Sequence, residues 1–291
     1  MRAAFEELAE GNFDSGLARL NKDNRWHDAS DDLNGPFCLS FPGARGWGEE
    51  LLAASLLKRH AANLAHGNGI QVFAHRAVCS ILRNDSAFRV MNDQGDHGGR
   101  SPLAILRHAL TGNLLHEEFV PLSAPRSGSQ PEEDMHPRIG IAWESIDDRG
   151  VCIPAKSIPR EKFLTILDGV DATLISFQRK RPGVAEIVDH VVPDDVIDAE
   201  DQTKVVQEIL GLDCMVTIST TTAHIAASFG IDVILLAAQR KGPQWFWRAH
   251  AEHAKHLYPT TQVLIGIGED ANWWQPCIAG AKAKLSNLLV G

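Results

Sequence analysis

The sequence predicts an α/β protein of two open domains, each with a parallel sheet, facing one another across a cleft behind a short helical hairpin. Three observations carry that expectation. From residue 36 onward, apolar runs of strand length alternate with amphipathic stretches of helix length, and strands joined through helices pair in parallel. The alternation is interrupted by residues 123–137, Ser-Ala-Pro-Arg-Ser-Gly-Ser-Gln-Pro-Glu-Glu-Asp-Met-His-Pro, whose Pro, Ser, Gly and acidic content is that of a domain linker. Finally, 291 residues at 44% hydrophobic and 22% charged are globular in composition and long enough to bury two ordinary cores.

The hairpin is expected as helices over 3–9 and 13–23, separated by Gly11-Asn12, with Phe13, Leu17 and Leu20 at helical spacing. Such a pair cannot bury its apolar face alone, so it either docks on the next domain or ends a helical repeat array. Residues 37–41 are a short apolar run ended by Pro42-Gly43, residues 49–65 are amphipathic and close at Gly67-Asn68-Gly69, and residues 70–74 form a second strand, completing a βαβ unit. Weaker signals give a helix at 76–82, a strand at 88–91, a helix at 102–110 and a strand at 118–122. Beyond the linker, strands are expected at 138–143, 172–177, 214–218 and 232–237, and helices at 160–167, 204–210 and 220–229. A closing helix is expected over 276–289. The domain bounds are accordingly 1–26, 36–124, 137–275 and 276–291.

Charge and cysteine usage narrow the function. Twenty-eight Lys and Arg against 37 Asp and Glu give −9, a field that repels polyanions and speaks against nucleic acid as a partner. An anionic ligand must then be held locally. The five cysteines, Cys38, Cys79, Cys152, Cys214 and Cys277, are widely separated and never spaced C-x-x-C, which suggests neither a disulfide framework nor a zinc site and fits a reducing compartment. The acidic opening residues and the lack of a long apolar run point to a cytoplasmic protein with no integral, at most a peripheral, membrane association.

Three segments could carry chemistry. Gly43-Ala44-Arg45-Gly46-Trp47-Gly48-Glu49-Glu50 lies between a strand and a helix. Gly46 and Gly48 let the backbone approach a ligand, and the helix dipole favours ionised carboxylates in the first turn, so Glu49 could act as general base on a hydroxyl. The same pattern fits an ordinary glycine turn. Ile218-Ser219-Thr220-Thr221-Thr222-Ala223-His224 also joins a strand to a helix. Ser219 is the expected N-cap, three threonines are poor helix material, and their hydroxyls with the helix amino end suit a phosphate. His224 falls on the face of Thr220 and could donate to the same ligand, although a His satisfied within the fold explains it equally. In the third segment, Trp143 ends a strand where it could stack on a base or sugar, and Lys156, in Lys156-Ser157-Ile158-Pro159, could neutralise phosphate, although as isolated features both read more simply as structural. His250, His253 and His256 read as a solvated helix face and the acids of 194–201 as surface. No Asp-x-Asp, Walker A, Gly-x-Ser-x-Gly or Gly-x-Gly-x-x-Gly occurs.

Taken together, these residues resemble two-domain GT-B glycosyltransferases of the heptosyltransferase-like superfamily, especially bacterial tetratricopeptide-repeat proteins with such a domain at the C-terminus. Residues 11–26 look like the end of the last repeat, and Gly46-Trp47-Gly48-Glu49 looks like the family's Gly-x-Gly-Asp loop. Residues 138–143, Lys156-Ser157-Ile158-Pro159 and Leu174-Ile175-Ser176-Phe177-Gln178 follow in the expected order. Ser219-Thr220-Thr221-Thr222-Ala223-His224-Ile225-Ala226 then stands where the family has Asp-Thr-Ala-x-Ala-His-Leu-Ala, and Trp247-Arg248 and Tyr258-Pro259 match a Trp-Arg and a Trp-Tyr-Pro pair.

The resemblance implies two Rossmann-like domains and a nucleotide-sugar donor held mainly by the second. It also implies an acceptor, glycan or protein, on the first, and transfer with neither metal nor cofactor. Glu49 takes the place of the base, Thr220, Thr221 and His224 take the donor site, and Lys156 lies near the phosphates. Two departures stand out: Glu49 adds a methylene to the family's Asp, and Ser219 removes the carboxylate of the second motif while keeping a capping hydroxyl. They leave room for a degenerate nucleotide-sugar binder or scaffold; an epimerase on a nucleotide sugar is a further alternative.

Overall fold

The computed structural model describes residues 2–24, 37–39, 47–59, 69–91, 118–123, 136–146, 150–179, 187–239, 245–267 and 272–290. Helices α1 (Arg2–Ala9) and α2 (Phe13–Asn24) form the hairpin. Gly11 turns the chain between them at a φ of +80°, and Arg19 closes a 2.7 Å ion pair on Glu7 across the pair. Ala4, Leu8 and Leu17 are buried. The hairpin docks on the second domain: α1 lies against α9 (Trp245–Glu252), and a side chain at Gly11 would meet the ring of His253 at 3.0 Å. Of the repeat-like segment, Arg25 and Trp26 fall outside the described residues.

The first domain holds a parallel sheet in the order β1 (Phe37–Cys38), β2 (Ile70–Phe73), β3 (Phe88–Val90). Helix α3 (Gly48–Arg59) connects β1 to β2, and α4 (Arg76–Leu82) connects β2 to β3. Gly69, at a φ of +74°, makes the sharp entry to β2. Residues 118–122 do not form the expected strand. Their backbone hydrogen bonds go elsewhere, with Leu122 N donating to Ser228 O (2.9 Å) and Pro121 O accepting from Lys58 Nζ (2.6 Å). They form a strap between the domains. The segments at 102–110 and 124–135 lie outside the described residues.

The second domain is a six-stranded, wholly parallel sheet. Its strands are β4 (Arg138–Ala142), β5 (Thr173–Ser176), β6 (His190–Val191), β7 (Cys214–Ile218), β8 (Asp232–Ala238) and β9 (Thr261–Gly266). The order β6-β5-β4-β7-β8-β9 is the doubly wound Rossmann order, starting in the middle, running to one edge and returning to build the other. Helices α5 (Arg160–Leu164), α6 (Asp194–Ile197), α7 (Thr203–Leu210), α8 (Thr221–Ser228), α9 and α10 (Gln275–Val290) complete it.

Among the described residues two cores form, but not one per domain. They are the two faces of the second sheet, as strand alternation requires: Met215, Val233 and Leu235 point to one and Val216, Ile234 and Leu236 to the other. The first face continues without a break through α8 into α3, β2 and the hairpin, because the first domain's small sheet leaves α3 an apolar surface that α8 covers. Cys277, Ala281 and Leu285 of α10, spaced by four, seal the second face. All five cysteines are free thiols, and no described helix is long and apolar enough to cross a membrane.

Candidate active site

In the second sheet the chain leaves β4 toward one edge and β7 toward the other. The neighbouring carboxyl ends of these strands, where Ala142 pairs with Thr217, are therefore the switch point at which such sheets bind ligands. Trp143 and Glu144 follow β4 there, and Ser219 and Thr220 follow β7. Gln178, buried beyond β5, ties the crevice wall: its Oε1 accepts from the backbone N–H of Trp143 (3.2 Å) and Glu144 (2.8 Å), and its Nε2 donates to Glu144 O (3.2 Å).

The amino end of α8 is capped by Thr220, one residue later than expected. Thr220 has the extended φ of −129° that a cap needs, and its Oγ1 accepts from Ala223 N at 3.3 Å. A 2.9 Å contact with the hydroxyl of Thr222 steadies it. Ser219 is displaced from this role because its hydroxyl accepts from the indole of Trp247 at 2.9 Å. Ser219, Thr220 and Thr221 remain partly accessible.

His224 does not face a ligand. Its ring is buried, 4.7 Å from that of Trp247 and 5.0 Å from that of Phe246, and Nδ1 lies 3.3 Å from Tyr258 Oη. Burial pushes its pKa down to about 3, so the imidazole is neutral. It packs directly on Gly48. A Cβ there would fall inside contact distance of His224 Cδ2 and 3.0 Å from Nε2. Glycine at 48 thus serves the approach of α3 to α8, a backbone-to-ring contact between the domains.

That contact brings Glu49 to the junction. The residue keeps some accessible surface but its carboxyl is hemmed in by protein, and burial raises its pKa from 4.5 to about 7. Its own backbone N–H and Lys156 oppose the rise and Glu50 adds to it. Desolvation thus outweighs the stabilisation expected from the helix dipole, which is worth at most about 1 kcal/mol at ordinary sites. Lys156, in the 3₁₀ turn Pro154–Lys156 that follows β4, is thus a cation of the second domain whose field reaches a carboxyl of the first. Glu50 is occupied elsewhere. Its Oε2 accepts from His75 N at 2.7 Å, holding the end of β2 beneath a His75 ring that stacks on Trp47. Gly46 lies outside the described residues.

Trp143 departs from its expected place. Its indole is buried against Phe163, with ring centres 6.0 Å apart, because the residue continues the inward alternation of β4 into the core. His250 is also no solvated residue. It is buried with Nε2 2.9 Å from Tyr258 O, and burial lowers its pKa to about 4. The roles of Gln178, Ser228, Trp247 and Tyr258 carry no sequence signal beyond the motif matches. Cavities open on both domains. One of about 710 Å³, between α4 and residues 200–203, is lined by Ala74, Arg76, Ser80, Arg83, Asp201 and Thr203 among others; one of about 380 Å³ lies over Trp143, Glu144 and Arg160. Among the described residues no group of three or more His, Cys, Asp or Glu is arranged to hold a metal ion.

Two parallel α/β sheets, the second in Rossmann order, joined by a strap and facing one another at α3 and α8, define the two-domain GT-B class of fold. Among solved structures the chain is similar to E. coli heptosyltransferase WaaC. With the form holding ADP it aligns over 85% of its own length and 99% of that chain at a TM-score of 0.50 and 11% identity. With the form holding ADP-2-deoxy-2-fluoro heptose the coverage is 87% and 99%, at 0.51 and 11%. At this identity the likeness is one of fold. No family model and no curated protein sequence matches the chain.

Proposed function

We propose that this protein is a glycosyltransferase that moves a sugar from a nucleotide-sugar donor to an acceptor hydroxyl. The observation that supports the reading is the packing of the amino end of α3, which carries Glu49, on His224 of α8, with Lys156 of the second domain acting electrostatically on the Glu49 carboxyl. A carboxyl whose pKa of about 7 matches a working pH is suited to take a proton from an acceptor hydroxyl. The developing diphosphate is met by the Lys156 ammonium and by the α8 amino end with the Thr220 and Thr221 hydroxyls, so no metal is called on for charge neutralisation. The donor lies in the crevice of the second domain, an adenine nucleotide being the first candidate because the similar WaaC structures hold ADP or an ADP-heptose analogue. The acceptor has room in the 710 Å³ cavity between α4 of the first domain and residues 200–203 of the second. The repeat-like hairpin offers a partner surface, and the protein works in the cytoplasm.

A thermal-shift panel of ADP, UDP, GDP and CDP with their sugars tests the reading. A ligand at 100 times its Kd stabilises the fold by about 2.7 kcal/mol. One nucleotide is expected to do so, and Thr220→Ala with Thr221→Ala, or Lys156→Ala, to reduce the shift. A flat response to the whole panel refutes the reading. A second reading, a nucleotide-sugar binder without turnover, is favoured by one observation: His224 lies sealed beneath Gly48, which removes that motif position from ligand reach. A saturable shift without transfer or donor hydrolysis, across an acceptor set, selects it.

A further inference from the structure

The chain contains a single tyrosine, and the structure places it at the point where both ends of α3 are held. Tyr258 is fully buried. A buried phenol must find partners for its hydroxyl or lose the hydration it had in the unfolded chain. Here Oη lies 3.3 Å from His224 Nδ1 and 3.3 Å from Ser228 Oγ, both on α8. Ser55 of α3 is near the same hydroxyl without completing a hydrogen bond to it. The imidazole so held is the surface on which Gly48, the first residue of α3, rests. At the other end of α3, Arg59 Nη2 donates to Leu257 O at 2.7 Å. The dipeptide Leu257-Tyr258 therefore grips α3 at Arg59 directly and at Gly48 through His224, while Tyr258 O is itself held by Thr261 N (2.9 Å) and by His250 Nε2 (2.9 Å).

We propose that Tyr258 is the positioning residue of this site: its hydroxyl, bridging His224 and Ser228, fixes the imidazole beneath Gly48 and so sets where the Glu49 carboxyl stands between the domains. The proposal rests on the reading of Glu49 as the base. The charged groups that act on Glu49 are Lys156 from the second domain and its neighbour Glu50, and the Glu49 charge in turn holds Tyr258 further from ionisation. Removing the hydroxyl leaves these charges in place and loosens only the seat of α3.

The test is Tyr258→Phe, read by carbon NMR titration of glutamate-labelled protein with the Glu49 signal assigned through Glu49→Gln, and by kcat and donor KM. The Glu49 midpoint is expected to fall by about one pH unit as water reaches the carboxyl, and kcat to fall about tenfold through misplacement at unchanged donor KM. A purely structural tyrosine would lower the melting temperature and leave the midpoint where it is, and that result overturns the proposal. Where Tyr258→Phe does not fold, Ser228→Ala removes one of the two partners and is expected to move the midpoint the same way by less; an unmoved midpoint there overturns the proposal equally. If the midpoint moves while wild-type protein turns over no donor, the positioning stands and the transferase reading falls.

Discussion

Replacing Glu49 by Gln separates the cost of holding this carboxyl from its use. Its pKa rises from 4.5 to about 7 on folding, a difference of roughly 2.5 units at about 1.36 kcal/mol each, or about 3 kcal/mol. Because the residue keeps part of its surface, solvent screening makes that an upper figure. The sign follows from the direction of the shift. A carboxyl with a raised folded pKa contributes stability that is complete below 4.5 and lost as the pH rises through about 7. At pH 8 the native state thus carries nearly the whole penalty, and at pH 5 only about 1 kcal/mol of it. Gln has a similar shape and no titration, so Glu49→Gln is expected to be more stable than wild type by as much as about 3 kcal/mol at pH 8, with the advantage shrinking by about 2 kcal/mol at pH 5. Thermal unfolding in matched buffers reads this as a gain on the order of 5 °C that narrows on acidification. The same variant is expected to bind nucleotide and to lose transfer. An advantage independent of pH would show that burial does not govern this carboxyl, and wild-type turnover in Glu49→Gln would remove it as the base.

Two further expectations concern the junction. Gly48→Ala drives a methyl into the ring of His224, overpacking that costs about 1–3 kcal/mol; urea unfolding should show the loss, whereas an unchanged midpoint would mean that α3 and α8 part freely. His224 and His250, whose pKa values are lowered to about 3 and about 4, stay neutral while the unfolded chain protonates below about 6.5. Each therefore withdraws about 2 kcal/mol of stability between pH 8 and pH 5. Glu49 returns part of this, so the fall should be about 4 kcal/mol in Glu49→Gln against about 2 kcal/mol in wild type, and parallel melting curves for the two would refute the account.

Much of the fold is legible in residue order because local rules act alone there. The helix at 76–82 and the strand at 214–218 survive into the structure, as do the hairpin, the two parallel sheets and the long last helix. Each follows from a local pattern of period two or near 3.6, or from an apolar run bounded by turn residues, and none needs a distant partner to be recognised. The expected strand at 118–122 fails for the opposite reason: its apolar residues serve a strap that Lys58 and Ser228 hold, and nothing local distinguishes a strap from a strand. The candidate site divides likewise. Position between strand and helix singles out Glu49 and Thr220, but whether His224 and Trp143 look outward depends on what covers them.

By itself the sequence determined the alternation of strands and helices, the acidic balance of the chain, and the strand-to-helix turns at the sheet edges. These follow from periodicity, net charge and the free groups at helix ends, all properties of residues and their near neighbours. Only the tertiary structure decided that α3 lies on α8, that Thr220 and not Ser219 is the cap, that His224 is a neutral strut on Tyr258, and that Glu49 is desolvated rather than kept ionised by its helix. Burial and pairing between segments far apart in the chain set those outcomes, because the cost of a charge or a hydroxyl depends on the atoms around it, and those atoms come from elsewhere in the sequence.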